Sequence, residues 1–181
     1  MHLINKALET ASRAHQSQYR KGTDIPYIAH PAAVGMILLE EGCREEVVAA
    51  GILHDTVEDT DVTLEDLRRD FGTEIAYMVE GCSEPDKSLS WEERKLHTIE
   101  FLMTASEEIK AIACADKLHN IRSILEDYAK EGDAVWERFN RGREQQEWYY
   151  RSLMKSLGST VDFPLLKKLE KEVHKLFSAK A

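Results

Sequence analysis

Apolar residues return every three or four positions along almost the whole chain, and strict alternation of apolar with polar residues is nearly absent. That spacing is the period of the α-helix, so the sequence predicts an all-α helical bundle. Leu3, Ala7, Ala11 and Ala14 set a first helix, expected to run to about Gln18, before the turn-rich RKGTDIP. A second begins near His30, with Pro31 in its first turn, and reaches Glu41, where Gly42 stops it. A third is expected from Glu45 to Val57. Its VVAAGIL is apolar on most sides, which suits a central helix. Thr63 and Ser90, each with an acid three residues on, open two further helices as capping boxes, and Glu74 to Gly81 forms one between them. Ser106 precedes a long helix from Glu107 to about Lys130, a helix from Trp136 to Leu157 follows, and Pro164 starts the last. In that last helix Leu165, Leu169, Val173 and Leu176 make one stripe.

No repeat, low-complexity tract or long linker divides the 181 residues. One domain over 1–181 is expected, with a core over about 7–157 and a C-terminal helix over about 162–178. The 24 Lys and Arg against 33 Asp and Glu give a net charge of −9, which argues against bulk nucleic-acid binding. A small anionic substrate remains compatible, because a metal or a local basic patch reverses the field inside a cleft. No run approaches the roughly 20 apolar residues of a membrane helix, and the first residues lack a signal peptide's apolar core. Cys43, Cys82 and Cys114 are odd in number and sit among apolar or small residues, as reduced thiols of a cytoplasmic protein would.

Ligand-type residues stand where an apolar helix should have none. His54 and Asp55 directly follow VVAAGIL. An isolated pair of this kind reads as a satisfied histidine with a capping aspartate. Glu58 and Asp59 alter that reading, since each follows His54 or Asp55 by four residues and, in a continuing helix, shares its face. Asp116 follows the apolar AIACA and needs a cation, either a Lys or Arg or a metal; Asn120 lies one turn on. His30, alone, would be a histidine at a helix start. A metal site accounts for all of them together. Two imidazoles with two carboxylates suit Mn, Fe or Zn rather than Ca, with Mn favoured by the oxygen-rich set. Such an ion turns bound water into a nucleophile, with Glu58 and Asp59 orienting it and carrying its proton. The basic dipeptide Arg20-Lys21, in a turn near His30, offers an acidic protein the local positive charge that a phosphorylated substrate needs.

The order His30, His54-Asp55, Asp116 resembles the signature of the HD-domain metal-dependent phosphohydrolases. The surrounding RKGTDIPYIAHP, GILHDTVEDTDVTLEDLRRDFG and ADKLHNIRS are similar to the hydrolase domain of the RelA/SpoT family, in particular its small single-domain members. The likeness runs from about Ala7 to Ser123, more weakly to Leu157. It implies an all-α hydrolase that uses Mn²⁺ to remove the 3′-pyrophosphate of (p)ppGpp. It implies His30, His54, Asp55 and Asp116 as metal ligands, Glu58 and Asp59 as the acids acting on water, and Arg20, Lys21, Asn120 and Ser123 as nucleotide contacts. A small nucleotide is the implied partner, without nucleic acid or membrane; the oligomeric state stays open. Of the 181 residues only 58 follow Ser123, so the synthetase and regulatory domains of the long members are not expected. Within this pattern Lys87, Arg94 and Lys95 are open candidates for phosphate, and Tyr149 and Tyr150 for a wall. His15, His97 and His119 read as cap or packing residues. Two other functions share the same residues: removal of phosphate from another nucleotide such as NADPH, and nucleotide binding without turnover. The survival of all four ligands and both acids speaks against the latter.

Overall fold

The computed structural model describes residues 2–84, 88–159 and 163–178; Lys87 lies outside them. The helices are α1 (His2–Ala14), α2 (Ala29–Glu40), α3 (Glu45–Leu53), α4 (Thr56–Asp59), α5 (Leu64–Phe71), α6 (Thr73–Cys82), α7 (Trp91–Thr104), α8 (Glu107–Glu131), α9 (Arg143–Leu157) and α10 (Pro164–Ser178), with a 3-10 segment at Gly132–Arg138. Among the described residues the only β pairing is an isolated bridge between Tyr19 and Pro26. The expected caps form. Thr63 with Asp66 and Ser90 with Glu93 make reciprocal capping boxes, and Ser106 accepts the Ile109 N–H.

The central helix is α3, where every residue from Val47 to Leu53 is buried. It packs against α1, α2, α6 and α8, and α10 lays Leu165, Leu169, Val173 and Leu176 against the bundle that α8 and α9 form. Each large aliphatic side chain so buried contributes about 1.5–3 kcal/mol. Helices α2 and α3 form an antiparallel hairpin whose contact is made by two glycines. A Cβ on Gly35 would stand 2.5 Å from Ile52 Cγ1, and one on Gly51 would collide with Leu38. The two backbones therefore lie closer than side chains at those positions would permit. Because the hairpin is antiparallel, this brings the start of α2 and the end of α3 side by side, and with them His30 and His54.

Three helix ends differ from the sequence expectation. The first helix stops at Ala14 rather than Gln18, where His15 turns into the core and bonds Gln18 Oε1 at 2.7 Å. The third stops at Leu53 rather than Val57. His54 Nδ1 bonds the Gly51 carbonyl, and Thr56 Oγ1 that of Leu53, each at 2.7 Å. Side chains thus compete for the carbonyls that a continuing helix would use. The expected helix from Trp136 begins only at Arg143, because Val135 and Trp136 are buried from the 3-10 segment and Gly142 stands at the restart.

Candidate active site

The broken end of α3, the start of α2 and the middle of α8 meet at one point. The ligand atoms of His30, His54 and Asp116 lie within 4.8 Å of one another. Asp55 joins them: its Oδ2 is 3.1 Å from His54 Nε2 and 3.5 Å from His30 Nε2. Asp116 Oδ1 is 3.2 Å from His30 Nε2 and 3.9 Å from His54 Nε2. Asp55 does not cap α4, as an isolated reading of the pair would have it. Instead Oδ2 accepts the Tyr27 hydroxyl at 2.6 Å. Asp116 has the cationic partner expected of a buried acid, since Lys117 Nζ reaches its Oδ2 at 2.7 Å, yet Oδ1 still faces the imidazoles.

The donor set fits a divalent cation. His54 gives its Nδ1 proton to the Gly51 carbonyl, which leaves Nε2 turned to the carboxylates. That nitrogen is buried, and its nearest oxygen, Asp55 Oδ2 at 3.1 Å, lies off the line of a regular hydrogen bond. Two imidazole nitrogens and two carboxylate oxygens converge there, and a shared cation satisfies all four at once. The charges agree. Burial opposes ionisation of His54, but Asp55 and Asp116 outweigh it and raise its pKa to about 9. Burial opposes the charge on Asp116 too, yet Lys117 and the two histidines hold it well below the ordinary carboxylate range. Tyr27 is pushed up by burial and by the Asp55 charge, so it remains a donor.

This cluster lines a chamber of about 150 Å³. It adjoins a cleft of about 400 Å³, and the two share Tyr27, Lys95, Lys117, Asn120 and Tyr149 as walls. Arg20, Lys21 and Ser123 line the outer cleft, with Arg138 and Tyr150. Arg20 Nη2 donates to Asn120 Oδ1 at 2.9 Å, and Asn120 Nδ2 to Asp116 Oδ1 at 2.5 Å, so the outer cleft is tied to the cluster. Five basic side chains border a cleft in an acidic protein: Arg20, Lys21, Lys95, Lys117 and Arg138. Gly22 has φ 76°, and a Cβ there would stand 3.2 Å from Arg138 Cδ, so the turn lets Arg138 lie across it.

Every residue expected from the sequence as a ligand is at the cluster, but the two acids part. Glu58 lines the inner chamber and accepts the Glu84 N–H at 3.1 Å. Burial raises its pKa, partly offset by that N–H. Asp59 is exposed and does not line the chamber. Of the open candidates for phosphate, Lys95 reaches both chambers, while Arg94 is bound to Glu84 and lines neither. Tyr149 and Tyr150 are wall residues. His119, expected as a cap or packing residue, packs on His30 with ring centroids 4.9 Å apart and also brings its Nδ1 to 2.8 Å from His30 Nδ1. His15 packs on Tyr27 with ring centroids 4.8 Å apart, and His97 is exposed on α7. Sequence reasoning passed over Tyr27, Lys117 and Glu84. Tyr27 and Lys117 are near neighbours of ligands; nothing in the sequence marks Glu84.

The sequence profile of the HD domain matches residues 7–146. The chain belongs to the HD-domain family. An HD domain implies a divalent metal, and the cluster of His30, His54 and Asp116 is where this HD domain can hold one. A GTP pyrophosphokinase of Streptomyces coelicolor is 43% identical over 124 residues, which make up 67% of this chain; the chain spans only 14% of that protein's length. The guanosine-3′,5′-bis(diphosphate) 3′-pyrophosphohydrolase MESH1 of Danio rerio is 42% identical over 125 residues, 67% of this chain and 69% of that one. Among solved structures, a metazoan ortholog of SpoT that hydrolyzes ppGpp has 30% identity and a TM-score of 0.81, with 99% of this chain and 98% of that chain covered. Among the described residues, no helix of this HD domain is long and apolar enough to cross a membrane.

Proposed function

We propose that this HD domain is a Mn²⁺-dependent (p)ppGpp 3′-pyrophosphohydrolase, which converts ppGpp to GDP, or pppGpp to GTP, and pyrophosphate. The observation that carries the reading is the adjacency of the chambers: a small one built around the His and Asp cluster shares five walls with a larger one bordered by basic and aromatic groups. The names borne by the relatives of similar length support the same substrate. In this reading His30, His54, Asp55 and Asp116 hold the ion. The ion supplies Lewis acidity at the phosphate and makes water a stronger acid. Arg20 and Lys21 meet the nucleotide, the Arg20 guanidinium stacking on the base; Asn120 and Ser123 face the ribose and base. Lys95 and Lys117, at the junction of the chambers, offset the charge of the 3′-diphosphate. Glu58 takes the proton of the attacking water inside the chamber, and Asp59 acts from its rim through charge. Water bonds to the phosphorus next to the ribose, that phosphorus loses its bond to the 3′-oxygen, and the oxygen leaves as a hydroxyl by taking a proton from solvent, to which Glu58 in turn releases its own. The mixed nitrogen and oxygen set suits Mn, Fe or Zn, and its carboxylate oxygens favour Mn²⁺ among them. Three free cysteines fit a reducing compartment, the cytoplasm.

The test is the first product. Purified protein with Mn²⁺ and ppGpp should yield GDP and intact pyrophosphate at the earliest time point, with label from ¹⁸O water in the pyrophosphate. Orthophosphate as primary product would refute the mechanism. Faster release of phosphate from NADPH would move the substrate and leave the metal site intact. The cleft's charge gives a second expectation. Lys21→Glu should raise KM for ppGpp about tenfold with metal content unchanged, and wild-type KM should rise with salt, because screening acts over about 8–10 Å. A salt-independent KM, with Lys21→Glu behaving as wild type, would place the substrate elsewhere.

A further inference from the structure

His30 and His119 meet nitrogen to nitrogen. The Nδ1 atoms are 2.8 Å apart and the ring centroids 4.9 Å apart. Two lone pairs at that distance repel, so one proton lies between them, and which ring owns it decides what His30 can do. The other nitrogen of His30 faces the carboxylates, 3.2 Å from Asp116 Oδ1 and 3.5 Å from Asp55 Oδ2. It binds a cation only through a free lone pair, and a neutral imidazole with Nε2 free carries its proton on Nδ1. We propose that His119 is a positioning residue of the metal centre: its Nδ1 accepts the His30 Nδ1 proton and so holds the His30 Nε2 lone pair toward the ion.

The second histidine of the cluster is held to the same end by another means. His54 Nδ1 donates to the Gly51 carbonyl at 2.7 Å, an acceptor that no side-chain substitution removes. For His30 the acceptor is a side chain, and it can be removed. Helix α8 supplies it three residues after Asp116, on the face that carries the ligand itself. His119 itself lines neither the inner chamber nor the outer cleft. It lines a cavity of about 290 Å³ that adjoins the outer cleft at Arg20 and Ser123. Its contact with the cluster is made through His30.

This inference rests on the reading of the cluster as a divalent metal site, and the test separates the two. Mn²⁺ affinity is measured by chelator competition for wild type, His119→Phe and His119→Asn. Phe keeps a ring and deletes the acceptor. Asn places an amide oxygen near where Nδ1 stood. His119→Phe should bind Mn²⁺ roughly 10–100-fold more weakly, the usual cost of losing a ligand's hydrogen-bond partner, and His119→Asn should recover most of the loss. At saturating Mn²⁺ the KM for ppGpp should stay at the wild-type value. In wild type loaded with diamagnetic Zn²⁺, nitrogen-resolved NMR should place the His30 proton on Nδ1. If His119→Phe does not fold, His119→Gly with added imidazole makes the same comparison, since the place of the deleted ring borders a cavity of about 290 Å³; Mn²⁺ affinity should then rise with imidazole. Wild type that binds no divalent ion would sink the metal reading. Wild type that binds, with His119→Phe binding equally well, with His119→Asn no better than His119→Phe, or with the His30 proton on Nε2, would overturn the role of His119.

Discussion

Asp55→Ala and His54→Ala should each lose the metal ion and turnover together. Asp55 Oδ2 stands within 3.1 Å of one ligand imidazole and 3.5 Å of the other, so its removal takes away a ligand and the charge that both rings face. His54→Ala removes a buried imidazole nitrogen that faces both carboxylates and takes from Asp55 the charge that most favours its ionised form, while Asp116 keeps Lys117 and His30. Either change should weaken Mn²⁺ by more than the roughly 10–100-fold that loss of an outer partner costs. Activity should fall to background at any metal level that wild type saturates. Metal analysis of the purified variants checks this: full occupancy in Asp55→Ala would end the ligand assignment. Wild type stripped by chelator should also melt at a lower temperature, because the ion binds the folded chain only.

Glu58→Gln should do the reverse, keeping the ion and losing turnover. A positioned proton-transfer group is worth roughly 10²–10⁴ in rate, and that is the expected fall in kcat. Glu58 lines the chamber and is fixed by the Glu84 N–H, whereas Asp59 is exposed; Asp59→Asn should therefore cost much less. The pH profile carries a further signature. Burial raises the Glu58 pKa above its ordinary 4.5, so the rate should climb with pH through a limb lying above that value as Glu58 gives up its proton. In Glu58→Gln that limb should vanish. A variant that loses Mn²⁺ would make Glu58 a ligand, and one with near-normal kcat would remove it from the mechanism.

The features legible in the sequence are those decided within a turn or two of chain. Thr63 and Ser90 declared their helix starts because the acid that completes each capping box is three residues away. The apolar stripe of α10 and the burial of α3 follow from spacing alone. The candidate ligands stood out because His54-Asp55 and Asp116 interrupt apolar runs. What escaped depends on partners far along the chain or on side chains competing with the backbone. The early end of α3 is made by His54 and Thr56 taking carbonyl oxygens, whereas helical periodicity continues through them. His119 looks like any helical histidine until a ring 89 positions earlier is brought against it. Arg94 and Lys95 are adjacent in sequence and alike in charge, and both bind Glu84; only the fold shows that Lys95 also reaches the two chambers.

The paired glycines of α2 and α3 have a consequence for the ion. His30 rides on one helix and His54 stands at the end of the other, so the gap between their nitrogens is gauged by how closely Ile52 seats on Gly35 and Leu38 on Gly51. Gly51 sets that gap and also offers the carbonyl that orients His54. In the proposed metal site, discrimination between a larger and a smaller cation would then be inherited from hydrocarbon contacts between the two helices. A single methyl group added in the interior would be felt at the metal as a change of bite.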